Sequence, residues 1–149
     1  MTQIVVPFRG RSGKRRDDAP DEVRSTLALA MHGDVLAACI VAGRTLLVSQ
    51  DEAARTLAAE LGAEVVDDPG GGQGAAVEAA MTHVEAGPAL VVNADVPCVV
   101  PRDLRSLAAT VSAAIPNLAD DVDTLEDLQR VGLRAGPRTQ AALAAVGAA

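Results

Sequence analysis

Short runs of consecutive apolar residues alternate along this chain with longer stretches in which apolar residues recur at helical spacing. Consecutive apolar residues are typical of strands that are buried on both faces of a sheet. The predicted strands are residues 4–7, 45–49, 64–66 and 89–93. The predicted helices are residues 21–42, 52–61, 74–85, 101–113, 124–131 and 137–146, the last with an alanine-rich tail as the alternative. This alternation predicts the α/β class, with a mostly parallel central sheet sandwiched by helices.

The first predicted helix and the short helix near residue 124 carry the clearest local signals. The apolar face of the first helix is predicted to comprise Val23, Leu27, Met31, Val35 and Cys39. His32 falls on its polar side, and we expect His32 and His83 to be surface residues rather than catalysts. Thr124, followed three residues later by Asp127, resembles a capping box. We expect Cys39 and Cys98 to be small buried residues.

Composition and charge exclude several functional classes. The chain has 149 residues, which suits one domain, and 49% hydrophobic residues, enough for a packed core. One phenylalanine, no tyrosine or tryptophan, and a net charge of -7 argue against a nucleic-acid partner. We find no apolar run of the roughly 18 residues that a membrane span needs, no signal-peptide pattern and no disulfide framework. We therefore expect a cytoplasmic protein with no membrane partner.

Two loops after predicted strands could hold a nucleotide, since ligands of parallel sheets bind beyond the carboxyl ends of the strands. The loop at residues 9–16 contains the cations Arg9, Arg11, Lys14, Arg15 and Arg16. Its spacing does not fit a P-loop, and the glycine run at residues 70–72 does not fit a dinucleotide fingerprint. Backbone N–H groups and cations can still hold a triphosphate, and glycines allow close approach of a flat base. The alternatives are a solvated basic surface and a flexible turn.

Acidic residues after the fourth predicted strand and late in the chain indicate a metal site. Asp95 follows a buried strand, where a carboxylate must be hydrogen-bonded, paired or bound to a metal. Asp121 and Asp123 point the same way if the chain is extended there. Asp95 and Asp123 can then share one Mg2+, which takes one or two carboxylates together with substrate phosphates. The alternatives are a cap at Asp95 and a solvated acidic surface.

Five segments in this order resemble the 2-phospho-L-lactate (phosphoenolpyruvate) guanylyltransferase family of coenzyme F(420) biosynthesis. The segments are VPFRG with GKRR, LALAMHGDVLAAC, LGAEVVDDPGGGQGAA, LVVNADVP and IPNLADDVDTLEDL, and they cover most of residues 3–131. The resemblance implies a Rossmann-like sheet of the GT-A and MobA-like nucleotidyltransferases. It also implies that GTP is joined to a phosphorylated three-carbon acid with release of pyrophosphate, and that Mg2+ is the cofactor.

The same resemblance implies a role for each matching residue. The implied nucleotide-binding residues are Pro7, Arg9, Gly10, Lys14, Gly71, Gly72, Gln73 and Asn93. The implied catalytic residues are Lys14, Arg16, Asp95 and Asp123. The implied Mg2+ ligands are Asp95, Asp123 and Asp121. In this mechanism the acid's phosphate attacks the α-phosphorus of GTP in line, so no protein nucleophile is needed.

The chain departs from the family pattern in three places. Asp17 stands where relatives usually carry leucine, and Gly74 where many carry asparagine. Relatives run to roughly two hundred residues, and their acceptor-binding segment is missing between about residues 114 and 115. We expect a single nucleotidyltransferase domain over residues 1–149. The alternatives are another acceptor (a sugar phosphate or the molybdenum cofactor) and a non-catalytic GTP-binding remnant. A homodimer through the alanine-rich face near residues 141–146 is a further prediction.

Overall fold

The computed structural model describes residues 2–10, 20–86, 89–109, 122, 124–132 and 134–147. The strands are β1 (Gln3–Pro7), β2 (Arg44–Val48), β3 (Glu64–Val66) and β4 (Ala89–Val91). The helices are α1 (Asp21–Ala42), α2 (Glu52–Leu61), α3 (Gln73–Met81), α4 (Pro101–Ala109), α5 (Leu125–Val131) and α6 (Pro137–Gly147). The alanine-rich stretch after residue 137 is therefore a helix rather than a tail.

The four strands form one sheet in the order β3-β2-β1-β4, and all three neighbouring pairs are parallel. Pro7 lies opposite Val48, and Val48 lies opposite Val66, so the carboxyl ends of β1, β2 and β3 are level. On the other side of β1, Val5 lies opposite Val91 of β4. The predicted α/β class with a parallel sheet is confirmed. The loops that follow the strands consequently meet at one edge of the sheet.

Helices cover both faces of this sheet. On one face, Ile4, Val6 and Leu47 pack against buried side chains of α1, α2 and α4. On the other face, Val5 and Val48 pack against α3. Successive residues of β1 point to opposite faces, and both sets are apolar because both faces are covered. This is why the strands read as continuous apolar runs in the sequence.

Local signals set the ends of two helices. Asp51 caps α2, since its side chain accepts a hydrogen bond of 3.0 Å from the backbone N–H of Ala54. Gly62 ends the same helix in the left-handed region, with φ of 95°. Thr124 and Asp127 exchange two hydrogen bonds of 3.1 Å between side chain and backbone at the start of α5. The predicted capping box is therefore confirmed.

Helix α3 is shorter than predicted and ends at Met81 rather than Glu85. The side chain of Gln3 exchanges hydrogen bonds of 2.9 and 2.8 Å with the backbone of Glu85. The carbonyl of His83 accepts a hydrogen bond from Arg44 at 3.1 Å. These bonds to the start of β1 and β2 hold the backbone of residues 83–85 outside the helix. The strand bounds also shift, with β2 beginning at residue 44 and β4 ending at residue 91.

Helix α6 is attached to α1 by a buried carboxylate. Asp34, near the middle of α1, accepts hydrogen bonds from the backbone N–H groups of Arg138 (3.1 Å) and Thr139 (2.8 Å). These N–H groups belong to the first turn of α6, which has no intrahelical acceptors for them. Asp34 therefore acts as the N-terminal cap of a helix that lies 104 residues further along the chain.

The surroundings of α1 overturn one prediction about His32. This side chain is 0% exposed, so its placement on the surface is wrong, whereas His83 is exposed as predicted. Helix α1 contacts β2, α2, α4 and α6. Its neighbours therefore bury residues outside the apolar face that the sequence predicted, including His32. Its buried residues are Leu27, His32, Gly33, Asp34, Val35, Leu36, Ala38 and Cys39.

Helix α1 also has the length and hydropathy of a membrane-spanning helix, which the sequence pattern did not indicate. Over its most apolar window the mean hydropathy of α1 is 1.6, and its 22 residues could cross a membrane by length and composition alone. In the structure it packs within the domain and buries two polar side chains, His32 and Asp34. Such burial fits the core helix of a folded domain.

Candidate functional site

The predicted site residues within the described ranges lie at or after the carboxyl ends of the strands. They are Pro7, Arg9, Gly10, Gly71, Gly72, Gln73, Asn93 and Asp95. Lys14, Arg16, Asp121 and Asp123, which were also predicted, lie outside the described residues. The sheet topology thus brings three separate loops to one edge, as the sequence predicted.

The chain leaves β1 through a short segment that turns beside the loop after β2. The N–H of Phe8 donates a hydrogen bond of 2.9 Å to the carbonyl of Val48, which extends the ladder by one residue. Arg9 and Gly10 come next, and Gly10 has φ of 106°, a conformation that favours glycine. A β-carbon built on Gly10 would lie 3.7 Å from Oδ2 of Asp51. The two loops are therefore in contact range at this point.

The glycine run before α3 adopts a backbone that other residues rarely reach. Gly70, Gly71 and Gly72 have φ of 78°, 88° and 113°. The carboxylate of Asp68 accepts a hydrogen bond of 2.9 Å from the N–H of Gly70 and so fixes the start of the run. A β-carbon on Gly72 would lie 2.8 Å from Nη2 of Arg9. The loop after β1 and the glycine run therefore touch through Arg9.

A hydrogen bond joins the start of α3 to the segment after β4. The side-chain amide of Gln73 donates to Oδ1 of Asn93 at 2.9 Å. Both residues are exposed, so a ligand at this edge can reach their remaining polar atoms. The glycine run and the segment that leads to Asp95 are consequently held next to each other.

Asp95 is hydrogen-bonded through its backbone to a residue from late in the chain. Its backbone carbonyl accepts a hydrogen bond of 3.2 Å from the N–H of Val122. Val122 stands between Asp121 and Asp123 in the sequence. Among the described residues, no group of three or more His, Cys, Asp or Glu side chains could hold a metal ion. The predicted partners of Asp95 fall outside those residues.

Sequence reasoning missed the loop after β2 as a support of the site. Gln50 donates a hydrogen bond from its side chain to the carbonyl of Asp68, and Arg55 pairs with Asp67 at 2.7 Å. Asp51 caps α2 and lies close to Gly10 of the loop after β1. An aspartate directly before a helical pattern is an N-cap signal that the sequence does contain.

Neither cysteine is suited to act as a nucleophile. Burial raises the pKa of the Cys39 thiol to about 12. Burial also raises the pKa of Cys98, although the nearby Arg134 opposes the shift. Both side chains are buried and protonated at neutral pH, which confirms the prediction that they are small buried residues.

Comparison with known proteins assigns the family. Residues 23–127, which run from α1 into α5, match the MobA-like NTP transferase domain. This chain belongs to that family. The matched range contains the glycine run, Gln73, Asn93 and Asp95, so these residues of the site edge lie inside the family domain. The membership in the MobA-like nucleotidyltransferases that the ordered motifs indicated is confirmed.

Three curated relatives carry the name phosphoenolpyruvate guanylyltransferase. The protein from Streptomyces scabiei is 38% identical over 134 residues, covering 80% of this chain and 62% of the relative. The protein from Streptomyces coelicolor is 37% identical over 138 residues, covering 82% and 65%. The protein from Salinispora arenicola is 35% identical over 124 residues, covering 76% and 56%. The chain thus spans less than two thirds of the length of these relatives.

Among solved structures, that of CMP:2-keto-3-deoxy-manno-octonic acid synthetase complexed with CTP aligns with a TM-score of 0.48. The alignment covers 71% of this chain and 45% of that chain at 18% identity.

Proposed function

We propose that this chain carries the site of a guanylyltransferase in coenzyme F(420) biosynthesis. It joins GTP to phosphoenolpyruvate, 2-phospho-L-lactate or a similar phosphorylated acid and releases pyrophosphate. The observation that carries the proposal is that Arg9 contacts the glycine run and that Gln73 bonds to Asn93, two residues before Asp95, at one sheet edge of a MobA-like chain. The names of the three relatives support the choice of nucleotide and acceptor.

The loop after β1 holds the triphosphate in this proposal. Arg9 and Gly10 supply backbone N–H groups, and Lys14 and Arg16 supply positive charge to the phosphate oxygens. Pro7 fixes the point at which this loop leaves the sheet. Positive charge that is already in place costs no reorganisation when charge develops during the reaction.

The guanine lies against the glycine run in this proposal. Gly71 and Gly72 have no side chains, so a flat base can approach their backbone closely. Gln73 and Asn93 offer exposed amide groups at the rim, held together by their hydrogen bond. The hydrogen-bond pattern of the base is read by such donors and acceptors, which is the source of nucleotide preference.

Asp95, with Asp123 and Asp121, would hold the Mg2+ ion. The donor set fits this ion, since carboxylate oxygens are its usual protein ligands. The hydrogen bond from Val122, which stands between the two late aspartates, to the carbonyl of Asp95 supports their proximity. When bound, the ion supplies positive charge to the triphosphate.

The reaction needs no covalent intermediate with the protein. An oxygen of the acid's phosphate attacks the α-phosphorus of GTP and forms a new P–O–P bond. The bond from the α-phosphorus to the oxygen that bridges to the β-phosphorus breaks, and pyrophosphate leaves with that electron pair. The attacking phosphate is already ionised, so it needs no strong general base. The chain's own contribution is positioning and charge stabilisation by Lys14 and Arg16.

The gap in the family pattern between about residues 114 and 115 motivates a second candidate function. The chain spans 62% of the Streptomyces scabiei protein. If the missing part is the acceptor-binding segment between about residues 114 and 115, the chain binds GTP without transferring guanylate. A single domain over residues 1–149, a cytoplasmic location and a homodimer through α6 remain predictions.

Pyrophosphate release from GTP tests these candidates directly. The reaction contains Mg2+ and GTP, with phosphoenolpyruvate, phospholactate or no acid, and parallel reactions replace the acid by a sugar phosphate or GTP by CTP. Release that requires one of the acids supports guanylyl transfer and names the acceptor. GTP binding by calorimetry without release supports the binding function. Release with a sugar phosphate or with CTP, and none with the acids, overturns the proposed substrate pair.

A further inference from the structure

A histidine is buried beneath the segment that leaves β1. The imidazole of His32 stacks on the phenyl ring of Phe8, with ring centroids 4.4 Å apart and an angle of 16° between the planes. His32 is fully buried in the middle of α1, and Phe8 is 7% exposed. Phe8 is the only phenylalanine in a chain with no tyrosine or tryptophan. The pair is therefore the one stacked aromatic contact that joins α1 to this loop within the described residues.

Phe8 extends the pairing of β1 with β2 and directly precedes the proposed triphosphate loop. Its N–H bonds to Val48 of β2, and Arg9 and Gly10 follow it directly. Phe8 is therefore held by its backbone to β2 and by its ring to His32, immediately before Arg9. The guanidinium of Arg9 in turn lies against Gly72. A chain of contacts thus runs from His32 through Phe8 and Arg9 to the glycine run.

The imidazole is used as a flat uncharged surface rather than as a polar group. Neither of its nitrogens makes a hydrogen bond of good geometry among the described residues, although the backbone of Ala54 lies close enough to favour the protonated ring. Burial lowers the pKa of His32 to about 4, while the nearby backbone of Ala54 and the charge of Asp51 oppose that shift. The ring is therefore neutral at physiological pH. A stacked neutral ring holds Phe8 in orientation as well as in position.

We infer that His32 is a positioning residue for the nucleotide site, which orients Arg9 and Gly10 by stacking on Phe8. The inference rests on the proposed function, since it gives those two residues a role in holding GTP. It assigns His32 no contact with substrate. The planar shape of the side chain is the property that matters, so a planar apolar replacement retains the effect and a non-planar one of similar volume loses it.

Steady-state kinetics of two His32 variants test this inference. His32→Phe keeps a planar ring, and we expect its KM for GTP and its kcat to stay within about two-fold of wild type. His32→Leu keeps similar apolar volume without a plane, and we expect KM for GTP to rise about five-fold with kcat changed much less. Val35→Ala, a buried change in the same helix, is the control for general damage to the core.

Three kinetic results would contradict the positioning role. One is an unchanged KM in His32→Leu, another is an equal rise in His32→Phe, and the third is an equal rise in Val35→Ala. Each would show that the plane of the ring is not what the site uses.

Amide hydrogen exchange separates this inference from the proposed function. Exchange of the Phe8 amide, which its hydrogen bond to Val48 protects, is measured without nucleotide in the same variants. We expect faster exchange in His32→Leu than in wild type, and wild-type rates in His32→Phe and Val35→Ala. If the wild-type protein shows no turnover but this pattern holds, the proposed function fails and the positioning role stands. Wild-type exchange in His32→Leu overturns the positioning role whatever the activity.

Discussion

The guanidinium of Arg9 lies against the α-carbon of Gly72, so close that a β-carbon there would be 2.8 Å from Nη2. Gly72 also has φ of 113° and ψ of 174°, a region that is open to glycine almost alone. The loop after β1 and the start of α3 therefore touch at a residue that has no side chain. The backbone conformation selects glycine at this position, and a β-carbon there would also displace the flexible end of the Arg9 side chain.

Gly72→Ala strains the backbone and displaces the end of the Arg9 side chain. We expect its free energy of unfolding to fall by about 1–3 kcal/mol because of the backbone strain. We also expect weaker GTP binding, because the added methyl group displaces Arg9. Urea denaturation and calorimetric titration with GTP measure the two effects. Gly74→Ala is the matched control, since Gly74 lies in α3 with open space around it. That variant should gain about 0.5–1 kcal/mol and keep its GTP affinity. Equal losses in the two variants would contradict the role of Gly72.

The buried His32 makes stability depend on pH. Its pKa is about 4 in the folded protein and about 6.5 when exposed, so the unfolded chain takes up a proton first as the pH falls. The stability linked to this group is fully present above pH 6.5 and is lost as the pH falls toward 4, by about 3 kcal/mol in total.

Replacement of His32 tests whether this residue causes the loss of stability at low pH. His32→Phe should lose much less stability than wild type between pH 7 and pH 4.5, as measured by urea denaturation at both values. His83→Phe, a change at an exposed histidine, is the control for the loss of one imidazole. Identical slopes in wild type and His32→Phe would show that His32 is not the group responsible.

The hydrogen bond between Gln73 and Asn93 should couple the two residues energetically. Both are exposed, so we expect a coupling free energy of about 0.5–1 kcal/mol from the variants Gln73→Ala, Asn93→Ala and their combination. Urea denaturation of the four proteins gives this value. Each single variant should also bind GTP more weakly, because the rim of the proposed base site is no longer fixed. Strictly additive losses would show that the hydrogen bond does not persist in solution.

The cap that Asp34 provides to α6 should be one of the larger single contributions to stability. Asp34→Ala leaves the N–H groups of Arg138 and Thr139 without their acceptor, and we expect a loss of about 2–3 kcal/mol. Amide exchange at Thr139 should rise more than exchange in β1. Asp67→Asn, which removes the charge of an exposed ion pair, is the control and should cost less than about 1 kcal/mol. A small loss in Asp34→Ala would mean that α6 is held by its apolar contacts alone.

Removal of the Asp95 charge tests the proposed metal site. Asp95→Asn keeps the backbone carbonyl that bonds to Val122, so the fold should persist. We expect turnover of GTP to fall on the order of 100-fold or more, and chelation of Mg2+ to abolish turnover in the wild-type protein. Glu60→Gln, at an exposed position on α2, is the control for loss of one negative charge. Wild-type turnover in Asp95→Asn would falsify the assignment of Asp95.

Features that depend on neighbouring residues were visible in the sequence. The apolar runs predicted four strands, since side chains on both faces of a covered sheet must be apolar. The capping box at Thr124 and Asp127 was visible because its partners are three residues apart. The glycine run at residues 70–72 marked a candidate loop after the third strand, and the structure gives all three glycines a positive φ.

Features that join distant segments were decided by the tertiary structure. His32 sits on the polar side of its helix by periodicity, but helices also cover that side, so it is buried. Asp34 and Thr139 are 105 residues apart, and only the packing of α6 on α1 brings them together. Arg9 reaches Gly72 because the parallel register places both loops at one edge. Sequence patterns report the local environment of a residue, whereas these contacts depend on how whole elements are arranged in space.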